Sequence, residues 1–141
     1  MKELSRIASA AQASTTMAID SMFKQMKADG IDVIGFAAGE PDFNTPDEIK
    51  EAGIAAINNN NTRYTPARGT VELRQAVCDR MKADCGVEYA PNQVVVASGA
   101  KHAVYIALRA IVNPGDEVIL PAPYWVSYIE LIKIMGGVPV V

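Results

Sequence analysis

The stretch Val94–Val112, VVVASGAKHAVYIALRAIV, passes from β-branched residues to a helix-period run across Ser98, Gly99, Ala100 and Lys101. A strand delivered directly into a helix reaches its next strand only by crossing back over the sheet, which favours parallel pairing and right-handed crossovers. The same alternation recurs downstream. NPGD turns the chain into EVILP, PYWVSYIELIKIMGG has helical character, and VPVV begins another strand. QVVVASG is too apolar to alternate, as expected of a strand covered on both faces, and DVIGFAAG is expected to be a short buried strand entering a loop at Gly39. The pattern predicts an α/β fold with a largely parallel or mixed sheet.

Helix boundaries are marked by residues with specific backbone roles. Thr16–Lys27 is expected to be helical and to stop at Gly30. Thr45 as N-cap, Pro46 at the first helical position and Glu48 three residues after the cap predict a capping box, with the helix running to about Asn58. The asparagine run Asn58–Asn61 is expected to be a polar loop. TVELRQAVCDRMKADCG predicts a helix ending at Gly86, with Val71, Ala76 and Val77 among its inward residues. Ala100–Val112 predicts another, with Ala103, Ile106, Ala107 and Ile111 at core spacing. The chain stops on the apolar run VPVV in mid-pattern, which is the expectation for part of a longer protein, the alternative being an edge strand that ends a small domain.

Composition narrows the function classes. At 141 residues the chain is the size of one ordinary domain, and a formal net charge of −3 gives no basic footprint for nucleic acid. The N-terminal segment mixes Glu3, Arg6 and Asp20 into its small apolar residues, so a cleaved signal peptide is not expected, and no apolar run is long enough to cross a bilayer. Cys78 and Cys85 lie two helical turns apart, roughly 10 Å, too far for a disulfide. Two free thiols fit a reducing, cytoplasmic setting.

Four motifs carry chemical possibilities. The turn at Ser98–Lys101 is stripped of bulk, so backbone N–H groups and the helix dipole at Ala100 and Lys101 can approach an anion, most often phosphate, with the Ser98 hydroxyl as a further donor. It lies at a strand's carboxyl end, where α/β folds bind ligands, yet many such turns bind nothing. It matches neither the Walker loop nor the three-glycine dinucleotide fingerprint. In AAGEPDFNTPDE, Gly39 and Glu40-Pro41-Asp42 form a rigid connector or a ligand-facing turn. In LPAPYWVSY, two prolines carry Tyr124 and Trp125 to a strand end, where the indole could belong to a core or stack on a flat ring. In TRYTPARGTVELRQA, Arg63, Tyr64 and Arg68 sit on a polar loop.

Taken together, GEPDFNTP, RYTPARGTVELRQAV, SGAKHAV, NPGDEVILPAPYWVSY and GGVPV resemble, in order and spacing, the class I/II aminotransferases. The resemblance is to the N-terminal third of the aspartate aminotransferase subgroup of fold type I pyridoxal 5'-phosphate (PLP) enzymes. It implies a three-layer α/β/α fold with a mixed, mostly parallel sheet, truncated after the first strands of the large domain. It further implies that residues 1–44 contribute to a small domain and residues 45–141 form the N-terminal part of the PLP-binding large domain. The implied activity is amino transfer from an amino acid, L-aspartate above all, to a 2-oxo acid such as 2-oxoglutarate, in a cytoplasmic homodimer with no nucleic-acid or membrane partner.

Residue by residue, the resemblance implies that the backbone at Ala100 and Lys101 meets the cofactor phosphate and that Trp125 packs on the pyridine ring and touches substrate. Gly39 faces the substrate α-carboxylate, where a Cβ would intrude, and the Lys101 side chain lies near a distal carboxylate. Tyr64 reaches a neighbouring subunit's cofactor phosphate. His102, the only histidine, is assigned to the helix surface. The Schiff-base lysine, the aspartate facing the pyridine nitrogen and the carboxylate-binding arginine belong beyond Val141, so no catalytic residue of that kind is assigned here. Gln12 and Ala13 replace the Lys-Pro of many relatives, which argues against prephenate as substrate. Other fold type I enzymes, lyases or synthases or an aromatic or prephenate aminotransferase, are the alternatives within PLP chemistry, and a non-catalytic fragment binding phosphate or a partner is the alternative outside it.

Overall fold

The computed structural model describes Glu3, Ser5, Ile7, Ser9, residues 14–36 and residues 39–141. Gln12 and Ala13 lie outside the described residues, as do Ala37 and Ala38 of the expected first strand. Among the described residues there are five longer helices, α1 (Thr15–Ala28), α2 (Asp47–Asn58), α3 (Val71–Cys85), α4 (Ala100–Ile111) and α5 (Ser127–Ile134). A 3-10 turn spans Pro91–Gln93, and two strands, β1 (Glu117–Ile119) and β2 (Val138–Val140), complete the set. The residues cluster into two compact units, Met1–Asn44 with Leu108–Val141, and Thr45–Ala107.

In the first of these units β1 and β2 pair in parallel, with Glu117 opposite Val138, Val118 opposite Pro139 and Ile119 opposite Val140. Leu120 N–H extends the ladder to Val140 O at 2.8 Å, and α5 is the crossover between the strands. The preceding NPGD turn closes with Asp116 N–H to Asn113 O, and the Asp116 carboxylate accepts Asn113 N–H at 2.8 Å. Leu120, Leu131, Ile132 and Met135 are buried. Each buried side chain of this kind contributes about 1.5–3 kcal/mol. Gly137 is sealed into the same cluster, since a Cβ there would lie 3.0 Å from Val112 Cγ1 and 3.1 Å from Ile132 Cγ2.

Helix ends follow the sequence closely at their C-termini. After α1, α2 and α5 the chain turns through Gly30, Asn60 and Gly136 with φ of 77°, 57° and 83°. Each end carries the paired backbone bonds of a Schellman motif, such as Ile31 N–H to Met26 O and Asn61 N–H to Ala56 O. The asparagine run is therefore a helix end rather than a featureless loop.

N-termini are less uniform. Ser14 and Thr70 cap α1 and α3 by accepting the N–H of Met17 and Leu73. The capping box expected at Thr45 and Glu48 does not form: Pro46 occupies the cap position and no side chain accepts there. Asp47 and Glu48 still place negative charge at the positive end of the dipole, and Asp47 is drawn to Lys50 at 2.8 Å.

Two expected strands and two expected core faces differ from the structure. Ile31–Phe36 has no ladder; the Gly35 backbone lies flat against the Phe23 ring, where a Cβ would come within 2.9 Å. Val94–Ala97 is extended, but apart from bonds to its sequence neighbours Pro91 and Gly99 its backbone contact among the described residues is the Val96 N–H to Arg68 O bond of 3.0 Å, so it stands as an extended segment, not a sheet member. On α3 the face turned inward is Arg74, Cys78 and Met81, while Val71, Ala76 and Val77 are exposed. On α4 it is Val104 and Leu108, while Ala103, Ile106, Ala107 and Ile111 are exposed. Both helices carry more than one apolar stripe, and tertiary partners, which periodicity does not specify, decide which is covered. Cys78 and Cys85 are both free thiols, as their spacing requires.

Candidate functional site

In the unit Thr45–Ala107, the Ser98–Lys101 turn is built by two backbone-directed contacts. Gly99, at φ 81°, turns its N–H back to Ala97 O at 2.9 Å, and Ser98 N–H is taken by His102 Nδ1 at 3.3 Å. The first intrahelical bond is Ala103 N–H to Gly99 O. The two amides before the helix are thus directed internally, and the positive end of the α4 dipole falls on Ala100, Lys101 and His102. Among the described residues a Cβ on Gly99 would meet nothing within 4 Å. The residue type is fixed by φ, not by crowding.

Tyr64 is fully exposed on the loop between α2 and α3. With Asn60, Thr62 and Arg63 it lines an open depression of about 460 Å³. The base of this loop is pinned. Arg74 Nη1 donates to Pro91 O at 2.6 Å and its Nε donates to Gly69 O at 3.2 Å. Arg68 Nη1 donates to Asn92 O at 2.9 Å. Gly69, at φ 90°, packs against Val96, whose Cγ2 would lie 2.8 Å from any added Cβ. No larger residue fits that combination of dihedral and neighbour.

The other two assigned residues belong to the other unit. Trp125 precedes α5, is 43 % exposed, and meets Tyr128 edge to face with centroids 5.4 Å apart. Ala122–Pro123, just before it, is a cis peptide. Gly39 is exposed and a Cβ there would meet nothing within 4 Å, so neither dihedral nor packing among the described residues calls for glycine.

Ala100 and Lys101 thus stand together at one helix terminus with Ser98 and His102, while Tyr64 occupies a separate pinned loop of the same unit. The sequence reading missed two participants. His102 accepts from the turn instead of merely facing solvent, and its position three residues after Gly99 is the spacing at which a capping box places its reciprocal acceptor. Arg74 was not singled out, although an arginine on an otherwise uncharged inward helix face signals a carbonyl-binding role. Among the described residues no group of His, Cys, Asp and Glu could hold a metal ion, and no helix is long and apolar enough to cross a membrane.

The donors at the α4 terminus fit a phosphate monoester, and a flat aromatic face and open glycine backbones are available elsewhere in the chain. Comparison with known proteins points the same way. An aspartate aminotransferase from Bacillus sp. (strain YM-2) is 54 % identical over 127 residues, covering 90 % of this chain and 32 % of the relative. A probable aspartate/prephenate aminotransferase from Aquifex aeolicus is 50 % identical over 127 residues, again covering 90 % and 32 %. The solved aspartate aminotransferase from Thermus thermophilus with maleate superposes with a TM-score of 0.93 at 39 % identity, covering 99 % of this chain and 37 % of that one. The chain therefore spans about a third of the length of the relatives it matches. The fold is that of fold type I PLP enzymes, in part. Residues 31–141 match the family described as aminotransferase class I and II, and the chain belongs to that family.

Proposed function

We propose that the whole protein is a PLP-dependent aminotransferase that moves the amino group of L-aspartate to a 2-oxo acid such as 2-oxoglutarate. The observation that carries the reading is the α4 terminus, a small-residue turn whose pre-helical amides are already engaged, in a chain of this family. When bound, the cofactor supplies the electron sink for loss of the α-proton.

The chain's own residues have the following parts. First-turn amides of α4 and the helix dipole hold the phosphate dianion. Trp125 offers its indole face to the ring and to substrate. Gly39 leaves backbone open to the substrate α-carboxylate, which explains a glycine that nothing else requires. Lys101 adds a cation suited to a distal carboxylate. The dicarboxylate maleate in the Thermus structure supports an acidic substrate. Tyr64, exposed on a pinned loop, donates its hydroxyl to the cofactor phosphate held by a second copy in a homodimer. Residues 1–44 belong to a small domain and residues 45–141 to the large one.

Lys101, framing the phosphate end, does not form the covalent bond to the cofactor, and the lysine that does lies beyond Val141. The protein is cytoplasmic. Prephenate is disfavoured by Gln12 and Ala13.

Reconstitution with PLP, followed by visible absorption on addition of L-aspartate and coupled detection of oxaloacetate, tests the activity. With 2-oxoglutarate supplied as the amino acceptor, a spectral change and continued formation of oxaloacetate together with glutamate are expected; absence of any PLP-dependent spectral change overturns the reading. Borohydride reduction and mass mapping should place no specific pyridoxyl group on Lys101. Replacing Tyr64 by Phe should weaken cofactor retention by about 1 kcal/mol, the net worth of one hydrogen bond. An unchanged PLP affinity would remove Tyr64 from the site.

A further inference from the structure

We propose that His102 is a positioning residue for the phosphate turn, its Nδ1 holding the Ser98 N–H inward so that only amides of the α4 first turn face the anion. The ligand half of this inference rests on the function proposed above; the contact itself does not. Gly99, immediately before α4, has no side chain and cannot supply the hydroxyl half of a capping box. His102, three residues later, supplies the reciprocal half, reaching one residue further out to Ser98 N–H at 3.3 Å. At that length the bond is weak, and its value lies in direction. With Gly99 N–H on Ala97 O and Ser98 N–H on His102, both pre-helical amides are directed within the turn rather than toward an anion.

The bond also fixes the imidazole. Nδ1 accepts, so the proton of the neutral ring resides on Nε2. The orientation of the helix's first turn, and with it the direction of the Lys101 backbone, is set by a side chain that need not touch substrate or cofactor. Chemical topology supplies a discriminating series. The Oδ1 of asparagine occupies the position of Nδ1, whereas the Oε1 of glutamine occupies that of Nε2, and phenylalanine keeps the ring shape without an acceptor.

The test has two independent parts. In the ligand-free protein, at about pH 8 where an ordinary imidazole is neutral, nitrogen-15 spectra of the side chain should show the Nε2–H tautomer. His102 is the only histidine in these 141 residues, and in the whole protein its signals are identified by their loss in His102→Phe. Ser98 amide exchange should accelerate about fivefold in His102→Phe and remain within twofold of wild type in His102→Asn. In PLP titrations followed by visible absorption, affinity should fall about fivefold in His102→Phe, less in His102→Gln, and be restored in His102→Asn. Circular dichroism confirms that each variant is folded. An Nδ1–H tautomer, an unchanged Ser98 amide in His102→Phe, or His102→Asn behaving like His102→Phe would each overturn the proposal. Should PLP bind none of these proteins while the tautomer and Ser98 signatures follow the series, the functional reading falls and the positioning of the turn stands.

Discussion

Between Leu120 and Met135 the backbone is held by apolar side chains, four of them buried, whereas from Gly69 to Gln93 it is held by arginines bonded to carbonyls. In the unit Thr45–Ala107, Cys78 is the one buried hydrophobic residue among those described. The difference follows from what each region presents. A βαβ crossover can bury its own side chains, so packing fixes it, and packing tolerates small shifts. A loop that displays Tyr64 outward has no side chains left to bury. Its geometry must come from the backbone, through directional bonds and glycines with imposed dihedrals.

The contrast can be broken first at its apolar pole. Ile132 is 2 % exposed and in line with the Gly137 backbone. Ile132→Ala should cost about 2–5 kcal/mol, the transfer term plus a cavity that the rigid crossover cannot close. Denaturant melts measure this directly, and a loss below about 1 kcal/mol would mean the crossover is not the stability centre.

At the polar pole, Gly69→Ala should cost about 3 kcal/mol, because it combines an unfavourable φ with collision against Val96. Gly86→Ala is the internal control. Its φ is also positive, at 69°, but nothing lies within 4 Å, so about 1 kcal/mol is expected. Equal losses would show that the Val96 contact relaxes freely and that the loop base is softer than its geometry suggests.

Helix C-termini at glycine and the β1–α5–β2 order were legible in the sequence because they depend on local chemistry: Gly30, Gly86 and Gly136 each mark a helix stop whatever packs nearby, whereas the stop at Asn60 was not, an asparagine run serving a loop equally well. Strand membership and helix facing were not, because both are relations to a second element. Val94–Ala97 has the composition of a strand and the extended backbone, yet lacks a ladder. On α4, Val104 and Leu108 differ from Ile106 and Ile111 only in what lies opposite. The turn at Ser98–Lys101 was read from residue size alone, but the part of His102 needed coordinates, since a lone histidine on a helix has no distinctive spacing unless the preceding glycine is recognised as a cap lacking its own acceptor.

A third perturbation measures the staple itself. Arg74 is half-buried and bonds both Gly69 O and Pro91 O. Arg74→Met should cost about 2 kcal/mol and increase proteolysis between Arg63 and Arg68. Arg74→Lys should recover roughly half, since an ammonium cannot serve both carbonyls with the geometry of a fork. If Arg74→Lys equals wild type, charge rather than direction is what the loop needs.

The smallest effect asks whether a polar contact fixes structure when its cation is exposed, with the Lys24 side chain 73 % and the Asp20 side chain 16 % accessible. On α1, Lys24 Nζ meets Asp20 Oδ2 at 2.7 Å, with the acid one turn N-terminal to the base, the favoured order. The Asp20 carboxylate, chiefly by hydrogen bond and then by charge, raises Lys24 above the usual lysine value of 10.5, against desolvation and with a smaller contribution from the Glu40 charge. A raised folded-state value means the charged form is favoured by folding. The contribution is therefore complete below the unfolded value of 10.5 and disappears as pH rises through the raised folded value. Asp20→Asn should return the Lys24 titration, followed by its side-chain NMR shifts, toward 10.5. Near neutral pH it should lower stability only slightly, less in high salt than in low, because solvent and counterions screen the exposed Lys24 end of the pair. A loss comparable to that of Arg74→Met would erase the distinction between a half-buried and an exposed cation. An unmoved Lys24 titration would show that the pair does not persist in solution.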